Sequence, residues 1–242
     1  FRMGRRLDLK KPKTFTEKLQ WLKLFYRDPS YTALVDKVEV KKYVADLIGP
    51  EYVIPTLGVW NNPDEIDWNL LPECFVLKCN HDSGGTYICR SKSSLDEAAR
   101  TQVCRELGEA LSKNYFWANR EWPYRKVRRK ILAEQFVEDA SGDLKDYKFF
   151  CFDGRPEFMF IASDRNVPGE ETHFDFFAMD FQHLPITNGH PCSSVEVGMP
   201  ESFERMKEFA SILSAGMPHV RVDFYEVGGR VLFGAMTFFH WS

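Results

Sequence analysis

No apolar run in this 242-residue chain approaches the ~20 residues that a bilayer-spanning helix needs, so no membrane span is expected. Paired cysteines are missing too. Cys74, Cys79, Cys89, Cys104, Cys151 and Cys192 contain no Cys-x-x-Cys, so their spacing speaks against a zinc site. Several lie in apolar, strand-like runs, where a free thiol packs as a small hydrophobe, and a reducing, cytoplasmic compartment is expected. There is no excess of one charge: 32 Lys and Arg against 35 Asp and Glu leave a net −3. A nucleic-acid coat protein favours strongly basic faces, so no nucleic-acid partner is expected. Nothing at the start resembles a signal peptide, and no internal repeat or low-complexity tract is found. No Ser–His or Cys–His signature marks a protein nucleophile, and no Asp-x-Asp pair marks a nucleotide-sugar site. The chain starts at Phe1 rather than Met and stops at Ser242, and on that account a fragment is expected.

What is present is a mixed pattern. The 44% hydrophobic content suffices for a buried core. Helical spacing of Phe15, Leu19, Leu22 and Phe25 predicts a helix over 14–26, with Thr14 and Glu17 as a capping box. A second helix is predicted over 32–48, ended by Gly49-Pro50. Strands are predicted at 52–60, 75–79, 86–90 and 131–137, with a helix over 95–113. Downstream, Asp153-Gly154 predicts a type I′ hairpin between 147–152 and 157–162. A strand follows at 174–181, then a helix over 203–215 and a last hairpin of 220–227 with 231–238. The fold class expected is α+β: a helix-strand lobe followed by a mostly antiparallel lobe.

Four segments carry chemistry. In Phe75-Val-Leu-Lys-Cys-Asn-His-Asp-Ser-Gly-Gly85, Lys78 interrupts an apolar strand, and a buried lysine needs an anion or a carboxylate. Gly84 and Gly85 free a turn whose amides can approach phosphate oxygens. A lysine snorkelling at a strand end fits Lys78 equally well. Lys37, in Val35-Asp-Lys-Val-Glu-Val-Lys-Lys42, reads by itself as a solvated lysine. Ile131-Leu-Ala-Glu-Gln-Phe-Val137 is either a plain strand end or a hinge whose backbone reads an adenine edge. In Val220-Arg-Val-Asp-Phe-Tyr225, alternation puts Arg221, Asp223 and Tyr225 on one face. Arg221 with Asp223 is an ion pair or a substrate clamp beside a metal ligand. A three-residue loop at 228–230 would set Asp223 opposite Ala235, and a two-residue loop would reverse that parity.

The order of these pieces resembles the ATP-grasp superfamily. Pro12-Lys-Thr-Phe-Thr-Glu-Lys-Leu-Gln-Trp21, Leu77-Lys-Cys-Asn-His81, Arg120-Glu-Trp-Pro-Tyr124 and Asp143-Leu-Lys-Asp-Tyr-Lys-Phe-Phe-Cys-Phe152 resemble its TupA-like family, from bacterial surface-polysaccharide synthesis. The resemblance implies an ATP-grasp fold of two lobes around a nucleotide cleft. Its parts would be an N-terminal helical segment over 1–50, a small lobe over 51–130 and a large lobe over 131–242. It implies ATP and Mg2+ as cofactors. Lys37 and Lys78 would contact the phosphates under a Ser83-Gly84-Gly85 turn. Gln135, Phe136 and Val137 would form the adenine hinge, with Glu134 near the adenine amino group and Asp146 on the ribose. Lys148 would reach a phosphate, Arg221 would steady the reacting species and Asp223 would bind magnesium. Arg120, Glu121 and Arg165 are assigned to the acceptor. The activity implied is amide formation between a uronic acid of a surface saccharide and a small amine, through an acyl phosphate.

One position departs. The family pattern after the last turn is Gly-Glu-x-Thr-Phe, whereas this chain reads Gly234-Ala-Met-Thr-Phe238, and Ala235 cannot bind metal. An engineered change is the expectation, since every other matched position is intact. Alternative readings are a sugar kinase, a glycosyltransferase of the same pathway, and an inactive nucleotide-binding variant.

Overall fold

The computed structural model describes residues 7–139, 142, 144–165, 167 and 169–240. Phe1, Asp143 and Ser242, named above, lie outside the described residues. Helix α1 runs Phe15–Phe25. Thr14 Oγ1 accepts from Glu17 N at 3.3 Å and Glu17 Oε2 accepts from Thr14 N at 3.0 Å, so the capping box forms as read.

The helix predicted over 32–48 is broken in two, α2 (Tyr31–Leu34) and α3 (Val40–Ile48). Asp36 is the physical cause. Its Oδ1 accepts from Val38 N at 2.9 Å and Glu39 N at 3.4 Å, an alternative to helix continuation. Lys37 sits in the break, and its N–H donates to Asn80 O at 3.0 Å instead of to a helical carbonyl.

The next elements are β1 (Thr56–Trp60), β2 (Phe75–Cys79), β3 (Thr86–Cys89), α4 (Glu97–Ser112), α5 (Phe116–Asn119) and β4 (Ile131–Gln135). These strands form one antiparallel sheet in the order β1-β4-β2-β3. Strand β4, read from sequence as the start of the second lobe, is thus an inner strand of the first sheet. Ile131 and Ala133 pack with Phe75, Leu77 and Cys79 over Val103 and Leu107 of α4. The opposite alternation, Leu132 and Glu134 beside Lys78, faces away from that core.

The second sheet holds β5 (Asp146–Phe152), β6 (Arg155–Ser163), β7 (His173–Ala178), β8 (His183–Leu184), β9 (Val220–Val227) and β10 (Arg230–Thr237). Its order is β10-β9-β5-β6-β7-β8, antiparallel throughout. Helix α6 (Phe203–Ser214) and the N-terminal helices cover one face. There Leu34, Val44, Phe149, Ile161, Met206, Val222 and Phe224 share a core. Tyr43 of α3 donates to Leu213 O of α6 at 3.1 Å, tying the two layers together. Among the described residues no helix is long and apolar enough to cross a membrane.

The last hairpin reaches the expected register by another route. Arg230 pairs with Val227, so the loop is the two-residue Gly228-Gly229, with φ of 55° and 73°. That loop alone would set Asp223 opposite Gly234. A bulge between Phe233 and Ala235 shifts the ladder by one residue, and Ala235 pairs with Asp223 and Thr237 with Arg221. The apolar alternation switches parity at the same place: Val231 and Phe233 before it, Met236 and Phe238 after it, all face the core. A Cβ at Gly234 would sit tightly, 3.0 Å from Asp223 O and 3.2 Å from the Tyr225 ring, so a side chain would crowd the bulge.

Candidate active-site cleft

A cleft of about 550 Å³ lies between the two sheets. One wall is Lys37, Lys78, Asp82, Ser83 and Gly84, and the other is Asp146, Lys148, Arg165, Arg221, Asp223 and Ala235. Glu121 and Tyr124 close it on one side.

The glycine turn is anchored from the helix break. Lys37 Nζ donates to Cys79 O at 3.1 Å and to Asp82 O, and lies 3.7 Å from Asp82 Oδ1. Asn80, fully buried, donates from Nδ2 to Arg128 O at 3.0 Å and accepts from Lys130 N at 2.7 Å, locking the end of β2 to the start of β4. The two glycines serve different needs. Gly84 has φ of 96°, a region side chains rarely adopt, and a Cβ on Gly85 would lie 2.5 Å from Asp82 Oδ2.

Lys78 has a counter-ion, Glu134, which also pairs with Lys41 Nζ at 2.6 Å. Burial pushes the Glu134 carboxyl up, but Lys78 and Lys41 outweigh it and hold the group below its ordinary value. The structure therefore puts the Glu134 carboxylate on two lysines. Lys41, in the first turn of α3 and four residues beyond Lys37, is a further lysine of the site that the sequence did not single out.

On the large sheet, Lys148 and Asp223 are cross-strand partners at 2.9 Å. Arg221 clamps the same carboxylate through Nε at 2.7 Å and Nη2 at 2.8 Å. Burial opposes ionisation of Asp223, yet Arg221 and Lys148 hold it at about 2. Lys148 is pulled down to about 8 by burial, with Arg221 adding to the effect against Asp223. Asp146 lies 3.2 Å from Lys148 Nζ and pairs with Arg165.

Other assigned residues do not line the cleft themselves, although Glu134 pairs with Lys78, which does. Gly85, Arg120, Glu134, Gln135, Phe136 and Val137 are not among the described residues that line it. Arg120 is exposed in the left-handed region, φ 59°, with its guanidinium 4.5 Å from the Trp117 ring centre. Phe136 packs under Arg90 at 5.0 Å, and Gln135 N donates to Pro55 O at 3.0 Å. Asp164 turns to His173 Nδ1 at 2.8 Å, leaving Arg165 to face the cleft. Asp82, Tyr115, Tyr124 and His240 line the cleft but were not assigned. Only Asp82 had a local signal, its place beside Ser83-Gly84-Gly85.

Glu121 is buried at 3% exposure, and desolvation raises it to about 7 against the opposing charge of Lys23. A carboxyl raised on folding binds its proton more tightly in the native state. Its effect on stability is therefore absent below about 4.5, grows as pH rises, and is a full penalty above about 7. Glu121→Gln is expected to flatten the fall in urea midpoint between pH 4.5 and 7 and to be the more stable form at pH 8. An unchanged midpoint difference between wild type and variant at pH 5 and pH 8 would refute this.

Two antiparallel sheets with a lysine- and arginine-lined cleft and a glycine turn between them define the ATP-grasp fold. The sequence model of the TupA-like ATPgrasp family matches residues 17–242, and the chain belongs to that family. Solved structures share the fold. The ATP-grasp ligase PsnB with a phosphomimetic variant of its minimal precursor, Mg and ADP superposes at a TM-score of 0.51 with 10% identity, covering 91% of this chain and 56% of that one. PsnB with its minimal precursor gives 0.50, 10%, 91% and 58%. D-alanine–D-alanine ligase from Bacillus anthracis with ATP gives 0.47, 13%, 86% and 54%. The chain thus spans little more than half the length of these structures, and at such identities the likeness shows the fold alone. ATP and Mg2+ are the ligands typical of the ATP-grasp family to which the chain belongs. No curated protein matches the chain.

Proposed function

We propose that the chain is an ATP-dependent carboxylate–amine ligase that forms an amide on a uronic acid of a bacterial capsular or other surface polysaccharide, or of its precursor. The observation that carries the nucleotide part is the convergence of Lys37, Lys78, Lys148 and Arg221 with the Ser83-Gly84 turn on one cleft. Four cations and a glycine turn suit a polyphosphate, which needs positioning and charge neutralisation more than a protein nucleophile. In this reading Lys78 exchanges part of its pairing with Glu134 for a phosphate. Arg165 and Asp146 bind the sugar or ribose, and Glu121 is placed to take a proton from the amine. Membership of the TupA-like family supports the saccharide acceptor, and the free thiols suit the cytoplasm, where ATP is supplied.

The metal set fits only in part. Both Asp223 oxygens already accept from Arg221 and Lys148, and Ala235 brings a methyl group to the paired position. The hairpin is not by itself a two-carboxylate magnesium site, and this favours a second reading, a variant that binds nucleotide but turns over poorly.

Calorimetry tests the nucleotide reading. Lys37 and Lys148 both sit near 8, drawn down mainly by burial, so near pH 8 each is about half protonated. A polyanion between them raises both, so ATP binding at pH 8 should take up as much as about one proton. The binding enthalpy should accordingly differ between buffers of high and low ionisation enthalpy. Tight binding of a UDP-sugar with no binding of ATP would overturn the assignment. Release of ADP that depends on both a uronic acid and an amine would establish the ligase reaction.

A further inference from the structure

On the far side of the large sheet from the cleft, Asp175 of β7, His183 of β8 and Cys192 bring their ligand atoms together. The three atoms lie within 4.8 Å of one another. Alternation along β7 sends Phe174 and Phe176 to the cleft side, and Asp175 with Phe177 to the other. We propose that these three residues bind a soft divalent cation, zinc by their chemistry, that fastens the segment 185–202 to the edge of the sheet.

The donor set selects the ion. A thiolate with an imidazole and a carboxylate suits zinc, whereas magnesium and calcium take oxygen ligands alone. The spacing agrees. Zinc–ligand bonds of about 2.0–2.3 Å in a tetrahedron put ligand atoms roughly 3.3–3.8 Å apart. His183 Nε2 and Asp175 Oδ1 are already 3.2 Å apart. Asp175 is buried, at 3% exposure, and its second oxygen accepts from Ser193 N at 3.1 Å, which orients the carboxylate as outer-shell partners of metal ligands do. His183 is half-exposed and lines a hollow of about 340 Å³ with Glu196, giving an ion a way in and either a fourth carboxylate or room for water.

The location gives the site a purpose. Between β8 and α6 the segment 185–202 forms no helix or strand, and so long a connection is uncommon unless something holds it. Its backbone touches β7 through Pro191 O, which accepts from Phe174 N at 2.9 Å. A cation on Cys192 would close a loop from β7 through β8 and back. The cysteine spacing that spoke against zinc concerned pairs of cysteines, and here a single cysteine joins a histidine and an aspartate that are distant in sequence.

The test uses the full chain stripped with EDTA and titrated with Co2+. One ion per chain is expected, with the intense visible bands of a tetrahedral site and a thiolate-to-cobalt charge-transfer band in the near ultraviolet, both displaced by Zn2+. Cys192→Ser should abolish the charge-transfer band and weaken Co2+ at least tenfold, and His183→Gln should weaken it similarly. Cys74→Ser should change nothing. Zn2+ should raise the Tm of the wild type and not that of Cys192→Ser, since a ligand that binds only the native state stabilises it. Nucleotide binding in the cleft should be the same in all four proteins. No Co2+ binding at tens of micromolar, or an unchanged charge-transfer band in Cys192→Ser, would overturn the proposal.

Discussion

Ala235→Glu is expected to raise single-turnover ADP formation by roughly a hundredfold or more, while the ATP dissociation constant moves far less. The position is defined by register: residue 235 is the cross-strand partner of Asp223 and lines the same cleft. A carboxylate there would stand beside Asp223, and paired carboxylates next to phosphates are how a divalent cation is held during phosphoryl transfer. It would also share Arg221 and Lys148, which now clamp Asp223 from both sides. In the proposed reading ground-state affinity comes from the lysines and the glycine turn, which the substitution leaves alone. The gain should therefore fall on the transition state. Equal rates for the two forms would show that position 235 has no part in the chemistry.

Asp223→Ala is expected to lower the unfolding free energy by about 3–5 kcal/mol, because it leaves the buried Arg221 without its carboxylate and takes from Lys148 one of two carboxylates, in a low-dielectric site. Lys148 and Arg221 have side-chain exposures of 11% and 12%, so water cannot readily replace the lost carboxylate. The same pair predicts the acid limb of stability. The folded value of about 2 lies below the ordinary 3.8, so the stabilisation is fully present above about 4 and is lost as pH falls towards 2. Urea midpoints of wild type and Asp223→Ala should therefore converge as pH is lowered through that window. A variant that unfolds at the wild-type midpoint at pH 7 would show that the cluster is not the anchor the geometry describes.

Much of the chain could be read before any coordinates, and the failures have specific causes. The capping box at Thr14 and Glu17, the Asp153-Gly154 hairpin and the Gly84 turn are local devices whose chemistry is complete within a few residues. The break between α2 and α3 was not legible, because there the Lys37 N–H is met by the carbonyl of Asn80, a residue far along the chain, while Asp36 takes the amides that follow. That β4 pairs in the first sheet was not legible for the same reason: an apolar strand does not name its neighbours. For the cleft, types and order pointed to Lys37, Lys78, Lys148, Arg221 and Asp223, which the fold brings together. Sequence could not say that Glu134 would answer Lys78 and Lys41, nor that Arg120 would stack on Trp117 outside the cleft. Those outcomes depend on which way a side chain leaves a sheet or a left-handed residue. Only the parity switch in the last strand was written in the sequence and passed over: Val231 and Phe233, then Met236 and Phe238.

That switch makes Gly234 the surplus residue of the hairpin. Phe233 pairs with Phe224 and Ala235 with Asp223, so a strand lacking Gly234 would run as an unbroken ladder, with Ala235 and Thr237 still towards the cleft and Met236 still in the core. A relative one residue shorter here, with no bulge, would present the same face to the cleft.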